Sequence, residues 1–224
     1  KARSLPADAI LLDLEDSVAP EQKELARAQV CGAVKEGGFG SREVVIRTNG
    51  LATDWGRADL LAAAAVGPDA ILLPKVSHPG DITLAAHALN EAGAPAHTRN
   101  WAMIETPTGI LNVDAIARTA ADPASRLAVF ILGTNDIAKE TRARMVPGRA
   151  PMLAWLSQCV LAARAYGLVR AEHGEELALG EPVHRSAHRA ARSRLGCRLQ
   201  RQRRTRCERA DHPFGIRALP RLGH

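Results

Sequence analysis

Residues 127–138 read Leu-Ala-Val-Phe-Ile-Leu-Gly-Thr-Asn-Asp-Ile-Ala, and this stretch decides the fold. Its first six residues form a continuous apolar run, which is typical of a β-strand buried on both faces. The run ends in a polar cluster, residues 133–136, that contains a glycine and an aspartate. A buried strand that ends in polar residues before a helix is the repeating unit of a parallel α/β fold.

Four more strand-like runs precede this one along the chain. Together with residues 127–132, the predicted strands cover residues 9–14, 44–47, 70–74 and 101–105. Patterns that predict helices lie between or after them, near residues 21–35, 57–66, 79–92, 108–120 and 151–166. Regular alternation of the two kinds of segment predicts a parallel sheet covered by helices.

The predicted strands end in polar or charged residues, such as Glu15 and Asp16 after the first strand and Arg47 at the end of the second. A TIM-type barrel builds its active site from the C-terminal ends of its strands. An open doubly wound sheet also binds ligands there, but it does not need charges after every strand. We therefore predict the α/β class and a (β/α)8 TIM barrel. Because five strands cannot close a barrel, we expect it to be incomplete, with its first and last strands missing or translated in a shifted frame.

The composition is that of an ordinary globular protein, with 46% hydrophobic and 24% charged residues. No run of 18 or more apolar residues predicts a transmembrane helix, and the N-terminal residues lack the apolar core of a secretory signal. The four cysteines (Cys31, Cys159, Cys197 and Cys207) do not have the spacing of a metal site or a disulfide framework. We expect a cytoplasmic protein with no membrane partner.

The charge distribution divides the chain into two predicted domains. Residues 1–169, the partial barrel domain, carry 17 basic and 18 acidic side chains, a net charge of −1. Residues 170–224 carry 13 arginines, no lysine and 6 acidic residues, a net charge of +7, without a strand-like apolar run. Three interpretations of this tail stay open: translation in a shifted frame, a disordered extension, and a basic nucleic-acid-binding tail. The first is favoured, so nucleic acid is not an expected partner.

Glu105 and Asp136 follow two neighbouring predicted strands. Carboxylates at the ends of adjacent barrel strands converge on one point, and two oxygen ligands with room for water and substrate suit Mg²⁺ or Mn²⁺. The alternative is that either acid only caps the helix that follows it. As a pair, the two residues favour a metal site.

Arg47 and Lys75 end two further predicted strands and point to anion recognition. A guanidinium binds a carboxylate with two hydrogen bonds, which suits a keto-acid substrate. The alternative for Arg47 is a structural ion pair with Glu15 or Asp16. Lys75 is interpreted as a Schiff-base amine, a phosphate contact or an ion-pair partner of a strand-end acid.

Asp13, Glu15 and Asp16 form an acidic group at the end of the first predicted strand. Strand alternation places Asp13 and Glu15 on one face, with Asp16 just beyond them. We interpret Glu15 and Asp16 as residues that support the metal site through bound water or balance the charge of Arg47, and Lys75 as a further residue around the metal site. The alternative is a set of solvated turn acids.

Five motifs, in order and at strand–helix spacing, make the sequence resemble one known group of enzymes. The motifs are Ile-Leu-Leu-Asp-Leu-Glu-Asp-Ser-Val (10–18), Val-Ile-Arg-Thr-Asn (45–49), Leu-Leu-Pro-Lys-Val (72–76), Met-Ile-Glu-Thr-Pro-Thr-Gly (103–109) and Leu-Gly-Thr-Asn-Asp-Ile-Ala (132–138). The resemblance is to the citrate lyase β-subunit and malyl-CoA lyase group of the HpcH/HpaI aldolase superfamily. It covers essentially all of residues 1–169.

The resemblance implies a TIM barrel that binds Mg²⁺ through Glu105 and Asp136 and the keto-acid carboxylate through Arg47, with Glu105 also contributing to substrate binding. The implied reaction is cleavage of a carbon–carbon bond in a CoA thioester such as citryl-CoA or (S)-malyl-CoA. Its products are acetyl-CoA and a keto acid. The implied assembly of a full-length protein is a homo-oligomer, a trimer or hexamer.

Two other functions stay open from the sequence. One is an aldolase that acts on free 2-keto-3-deoxy acids, as in the other arm of the superfamily. The second is a non-catalytic relict whose basic tail binds nucleic acid, with an affinity that falls steeply with salt.

Departures from the family pattern put activity in doubt. The resemblance leads us to expect a first strand and a phosphate-contacting loop before Lys1, and two strands with an Asn-Asp-type acidic motif after residue 169. Neither is recognisable in the sequence.

Overall fold

A computed structural model describes residue 3, residues 7–173 and residues 216–219. It contains seven strands in one sheet, in the spatial order β6-β5-β4-β3-β2-β1-β7. Their bounds are β1 Ala9–Asp13, β2 Glu43–Arg47, β3 Ala70–Leu73, β4 Arg99–Ile104, β5 Leu127–Gly133, β6 Val169–His173 and β7 Ile216–Leu219. The first five strands confirm the five predicted runs to within about two residues.

Strands β1 to β6 are parallel, and β7 pairs antiparallel with the outer edge of β1. Parallel pairing brings the C-terminal ends of consecutive strands to the same edge of the sheet. Asp13 at the end of β1 is thus the register partner of Arg47 at the end of β2.

Seven α-helices connect and cover the strands in the described part. They are α1 Lys23–Glu36, α2 Gly56–Val66, α3 Pro79–Glu91, α4 Pro107–Leu111, α5 Val113–Arg118, α6 Thr134–Thr141 and α7 Leu153–Ala165. The single helix predicted at residues 108–120 is two helices that meet at Asn112, and the sequence analysis did not list α6, which is only eight residues long. No helix of the described residues is long and apolar enough to cross a membrane.

Strands β6 and β7 lie where the sequence analysis predicted no strand. Each is only four or five residues long, and each is stabilised by pairing with a neighbour, as at Val129 and Val169, rather than by an apolar run of its own. The predicted domain boundary after residue 169 therefore falls at the start of β6. Residues 174–215 and 220–224, to which the three interpretations of the tail mostly refer, lie outside the described residues.

Both faces of the sheet are apolar and buried. In β1, Ile10 and Leu12 pack into the cluster between sheet and helices, and Ala9 and Leu11 pack into a second cluster on the opposite face. The second cluster collects alternate residues from five strands: Ala9, Leu11, Val45, Ala70, Leu72, Trp101, Met103, Val129 and Ile131. Burial of both faces explains why the strands read as continuous apolar runs, and it is the pattern of a (β/α) barrel.

A buried polar network fixes the end of β2 to two helices. Asp59 of α2 is fully buried and accepts hydrogen bonds from Arg27 Nε (2.6 Å), Asn49 N (3.0 Å) and Asn49 Nδ2 (2.6 Å). Asn49 Nδ2 also donates to the carbonyl oxygen of Leu14 (2.9 Å). The segments that follow β1 and β2 are therefore held in one position relative to each other.

Lys23 supports the segment after β1 from the helix side. Its buried ammonium donates to the carbonyl oxygens of Leu14 (2.8 Å) and Glu15 (2.7 Å), and it lies 5.6 Å from the centre of the Trp55 ring. Burial lowers the pKa of Lys23, against the raising effect of Asp13 and Glu15. The backbone that carries Glu15 is thus fixed by a charged donor on α1.

Replacing Asp59 tests the importance of this network. Asp59→Ala leaves Arg27 and Asn49 without their acceptor, and breaking a buried ion pair is expected to lower the free energy of unfolding by about 3 kcal/mol. Urea unfolding measures the change. The matched control is Asp114→Ala, which removes an aspartate from an exposed pair with Arg118 and should change stability little. Equal effects of the two substitutions would contradict a structural role for Asp59.

Candidate metal and substrate site

The structure brings all six predicted site residues to the C-terminal edge of the sheet. Arg47 ends β2, Lys75 follows β3, Glu105 follows β4 and Asp136 lies in the first turn of α6 after β5, while Glu15 and Asp16 follow β1. They form two groups, an outer one around Lys75 and an inner one around Arg47.

The outer group consists of Glu105 and Asp136 on either side of the Lys75 ammonium. Lys75 Nζ forms an ion pair with Asp136 Oδ2 and lies 3.8 Å from Glu105 Oε1. The backbone N–H of Lys75 also donates to Glu105 Oε1 (2.9 Å). Two carboxylates on neighbouring strand ends therefore face one cationic nitrogen.

The backbone of Gly133 packs closely against the side chain of Glu105. A Cβ added at Gly133 would lie 2.6 Å from Glu105 Cβ and would also collide with its Oε2. A Cβ at Gly109 would meet the carbonyl oxygen of Val76 at 2.5 Å. The glycines that flank the pair are therefore required for packing against the carboxylate and the segment after β3.

The capping alternative does not describe Glu105. The N-cap of α4 is Thr106, whose Oγ1 accepts from the backbone N–H of Gly109 (2.9 Å), and Glu105 instead accepts from Lys75. Asp136 lies in the first turn of α6, where a negative charge is favourable to the helix dipole. Its side chain is still directed to Lys75, so helix stabilisation is not its only interaction.

The inner group is built on a buried ion pair. Arg47, 2% exposed, donates from Nε to Asp13 Oδ1 (2.7 Å) and from Nη2 to Asp13 Oδ2 (2.5 Å). Its Nη1 lies 3.0 Å from Glu15 Oε2 and 3.4 Å from Asp16 Oδ2. The ion pair with Glu15 and Asp16 that the sequence analysis gave as an alternative is present, and Asp13 is the principal partner.

Asp13 holds the arginine in a fixed orientation. Its carboxylate also accepts from Ser17 Oγ (2.7 Å) and from the backbone N–H of Glu15 (2.9 Å). Burial alone would raise the pKa of Asp13, but its hydrogen bonds to Arg47 and the positive charge of Arg47 lower it below its usual value. Asp13 is therefore ionised wherever the fold is intact near neutral pH.

The pKa values of Glu15 and Glu105 are raised, whereas that of Asp13 is lowered. Burial raises the pKa of Glu15 to about 7 although Arg47 acts to lower it, and burial raises the pKa of Glu105 to about 7 although Lys75 acts to lower it. Nearby carboxylates contribute to both shifts. Two carboxyl groups at this edge thus change protonation near neutral pH, which is common at functional sites.

The donor set fits a hard divalent cation. No group of three or more His, Cys, Asp or Glu side chains in the described ranges forms a complete metal cage. Mg²⁺ is commonly held by one or two carboxylates, with water and substrate as its other ligands. Glu105 Oε1 and Asp136 Oδ2, which already face one cation, meet that requirement.

Sequence reasoning missed several residues that build this site. Asp13 was placed in the acidic group but not recognised as the partner of Arg47, although their positions at the ends of adjacent strands carried the signal. Lys23 and the Asn49–Asp59 contact had no sequence signal, since only the packing of α1 and α2 brings them to these strand ends.

Comparison with known proteins identifies the family of this chain. A family model described as HpcH/HpaI aldolase/citrate lyase matches residues 1–180. The chain belongs to this family. The family resemblance seen in the five sequence motifs is thereby confirmed.

Two curated proteins of known name are similar in sequence to this chain. (3S)-malyl-CoA thioesterase of Cereibacter sphaeroides (strain KD131) is 45% identical over 168 residues, 75% of this chain and 55% of that protein. Citrate lyase subunit beta of Escherichia coli (strain K12) is 33% identical over 168 residues, 73% of this chain and 54% of that protein. The chain spans about half the length of the curated relatives it matches.

Two solved structures share the fold. The citrate lyase beta subunit from M. tuberculosis, complexed with oxaloacetate and magnesium, matches with a TM-score of 0.58 and 27% identity, over 74% of this chain and 68% of that chain. Haloferax volcanii malate synthase, 19% identical, matches in fold alone with a TM-score of 0.62, over 73% of this chain and 49% of that one. The predicted α/β barrel class is confirmed.

The raised pKa values predict how stability changes with pH. Between the ordinary carboxyl pKa of 4.5 and about 7, the unfolded chain has released protons that folded Glu15 and Glu105 still hold. Stability of the metal-free protein should therefore fall as pH rises through this range and level off above it. The Asp13 contribution has the opposite sign and is lost only at lower pH.

Thermal unfolding in chelator at pH 5.5 and pH 8 measures this effect. The midpoint should be a few degrees lower at pH 8, and Glu15→Gln should reduce the difference. Glu91→Gln, at an exposed position of α3, should keep the wild-type difference. An equal pH dependence in wild type and Glu15→Gln would show that Glu15 does not titrate in this range.

Proposed function

We propose that this protein is a Mg²⁺-dependent lyase that cleaves a carbon–carbon bond in a CoA thioester of the (S)-malyl-CoA or citryl-CoA type. The products are acetyl-CoA and a keto acid. The observation that carries the proposal is the convergence of Glu105 and Asp136 on one cationic position at the C-terminal edge of a barrel-type sheet. The names of the relatives, which refer to malyl-CoA and citrate, support the substrate class.

In this proposal Glu105 and Asp136 hold the cation, and Mn²⁺ would satisfy the same oxygen donors. When bound, the cation polarises the substrate's hydroxyl or keto oxygen and neighbouring carboxylate. Glu105 is the better fixed of the two ligands, because its side chain is 4% exposed whereas that of Asp136 is 30% exposed. The more exposed Asp136 is therefore the ligand on the open side of the site.

Arg47 is proposed to bind the keto-acid carboxylate. Asp13 uses Nε and Nη2, so Nη1 is the part of the guanidinium that is directed to Glu15, Asp16 and the edge of the sheet. A substrate carboxylate that binds Nη1 would compete with these two acids. Asp13 holds the guanidinium of Arg47 in place. The positive charge of Arg47 then stabilises the negative charge on the substrate oxygens during cleavage.

Cleavage requires that a proton leaves the 3-hydroxyl group and that a proton reaches the carbon of the departing acetyl-CoA. We propose that Glu15 accepts the first of these protons, because burial raises its pKa to about 7, and that water supplies the second. The main chain fixes its position, since Lys23 donates to the carbonyl oxygen of Glu15 and Asp13 accepts from its N–H. Glu15 is thus a carboxyl group with a pKa suited to proton transfer.

A second candidate reaction is hydrolysis of the thioester, which the name of the 45% identical relative favours. Water would attack the thioester carbonyl, the carbon–sulfur bond would break, and malate and CoA would be released. Glu15 would accept the proton from the attacking water in place of the substrate hydroxyl. The same residues therefore serve two reactions that differ in the bond that breaks.

A homo-oligomeric assembly, a trimer or hexamer, and a cytoplasmic location belong to the same proposal. The assembly rests on the family resemblance, and the location rests on the cysteines, whose spacing does not predict a disulfide framework.

Product analysis with (S)-malyl-CoA and Mg²⁺ separates the reactions. Carbon–carbon cleavage gives glyoxylate, detected as its phenylhydrazone, and no free thiol; hydrolysis gives free CoA, detected with a thiol reagent, and no glyoxylate. We expect glyoxylate. Free CoA as the sole early product would establish the hydrolytic alternative.

A parallel incubation with pyruvate and an aldehyde tests the aldolase that acts on free keto acids. Condensation there, with no turnover of malyl-CoA or citryl-CoA, would refute a CoA-ester substrate.

Substitution of the two carboxylates tests the metal site directly. Glu105→Gln and Asp136→Asn remove one anionic ligand each without changing side-chain shape, and both should abolish Mg²⁺ binding measured by calorimetry. Glu91→Gln, an exposed carboxylate on α3, should bind Mg²⁺ as the wild type does. Full Mg²⁺ affinity in both site variants would place the metal elsewhere.

A further inference from the structure

The least explained feature of the site is that a lysine ammonium lies between its two carboxylates. Lys75 Nζ contacts Asp136 Oδ2 and approaches Glu105 Oε1 to 3.8 Å. A divalent cation bound by the same oxygens would occupy the same position, and two cations cannot share it. Binding of one therefore requires departure of the other.

We infer that Lys75 is an exchangeable counter-cation, which occupies the carboxylate pair in the metal-free protein and moves toward solvent when a divalent cation binds. The inference rests on the proposed metal site at Glu105 and Asp136. In this inference, Lys75 sets the affinity of the site for the metal and the exchange of the metal. A structural ion pair would affect neither.

The geometry of Lys75 allows this movement. Its side chain is 45% exposed, so the ammonium reaches water by rotation of its own flexible stem. The backbone stays in place, since the N–H of Lys75 donates to Glu105 Oε1 independently of the ammonium. Lys75 also has a φ of 55°, which is uncommon for a non-glycine residue. The backbone of Lys75 is therefore fixed, and its ammonium group is free to move.

Electrostatics explain why a counter-cation is needed. Glu105 is nearly buried and is repelled by Glu15 and Asp136, so removal of all positive charge would leave several carboxylates facing one another. A divalent ion brings twice the charge of an ammonium and binds carboxylate oxygens at about 2.0–2.1 Å, which favours it in the exchange. Lys75 thus balances the charge of the two carboxylates in the metal-free protein and is replaced by the metal.

Arg47 cannot perform this exchange. It is 2% exposed and its guanidinium donates two hydrogen bonds to Asp13, so movement to solvent would leave a buried carboxylate without its partner. The two cationic side chains at this edge are therefore different in kind: one is fixed and the other is exchangeable.

Calorimetric Mg²⁺ titration of Lys75→Met tests the inference. Methionine keeps an apolar stem and removes the competing charge. The variant should bind Mg²⁺ about fivefold more tightly, which corresponds to the ~1 kcal/mol of a half-exposed ion pair. The metal-free variant should also unfold at a lower temperature than the wild type and gain more from added Mg²⁺.

The matched control is Lys139→Met, at an exposed position of α6, the helix that carries Asp136. It removes the same charge from a position that does not contact the two carboxylates, and it should leave Mg²⁺ affinity nearly unchanged. Equal or weaker binding by Lys75→Met, with normal binding by the wild type, would refute the exchange and leave the metal site intact. Absence of Mg²⁺ binding in the wild type would instead refute the proposed metal site.

A second measurement needs no variant. Amine labelling of the wild type, followed by peptide mass spectrometry, should modify Lys75 faster with saturating Mg²⁺ than in chelator, while labelling of Lys139 stays constant. Unchanged or slower labelling of Lys75 with bound Mg²⁺ would overturn the inference, because it would show that the ammonium does not leave the carboxylates.

Discussion

The ion pair between Asp13 and Arg47 is the interaction on which the site depends. The two residues are register partners at the ends of β1 and β2, and both are almost fully buried. Removing two charges from water is costly, and here the cost is offset by paired hydrogen bonds and by donors from Ser17 and the Glu15 backbone. Because the pair lies at the strand ends, it fixes the segment that carries Glu15 and Asp16.

Arg47 and Lys75 balance the charge of different carboxylates. Arg47 is buried in its pair with Asp13, so this positive charge stays at the ends of β1 and β2. Lys75 balances the outer carboxylates from a half-exposed position, so that charge is available for replacement. If the proposed metal binds at the outer carboxylates, it replaces the half-exposed Lys75 ammonium, and the buried pair of Arg47 and Asp13 is not disturbed.

Most of the fold and the position of the site could be predicted from the sequence, because strands buried on both faces leave continuous apolar runs and parallel pairing brings their polar ends to one edge. Glu105, Asp136 and Arg47 follow directly from that rule. What could not be predicted depends on contacts between distant elements. Asp59 on α2 and Lys23 on α1 look like ordinary helix residues until packing carries them to the ends of β1 and β2. Strands β6 and β7 were missed because their pairing partners, and not their own composition, stabilise them.

Some departures from ordinary protein geometry lie at the C-terminal edge of the sheet, and others, such as the positive φ of Arg126, Arg142 and Arg149, lie elsewhere in the described residues. Lys75 has a positive φ, and Gly133 packs too closely on Glu105 for any side chain. Glu15 Oε2, at ion-pair distance from Arg47, and Thr134 Oγ1 are buried without a hydrogen-bond partner in the described part of the chain. Strain and unsatisfied polar atoms lower stability, so a fold keeps them only where the surrounding core supports them. At this edge the apolar clusters on both faces of the sheet provide that support, so the strained and unsatisfied groups are held by the strands that carry them.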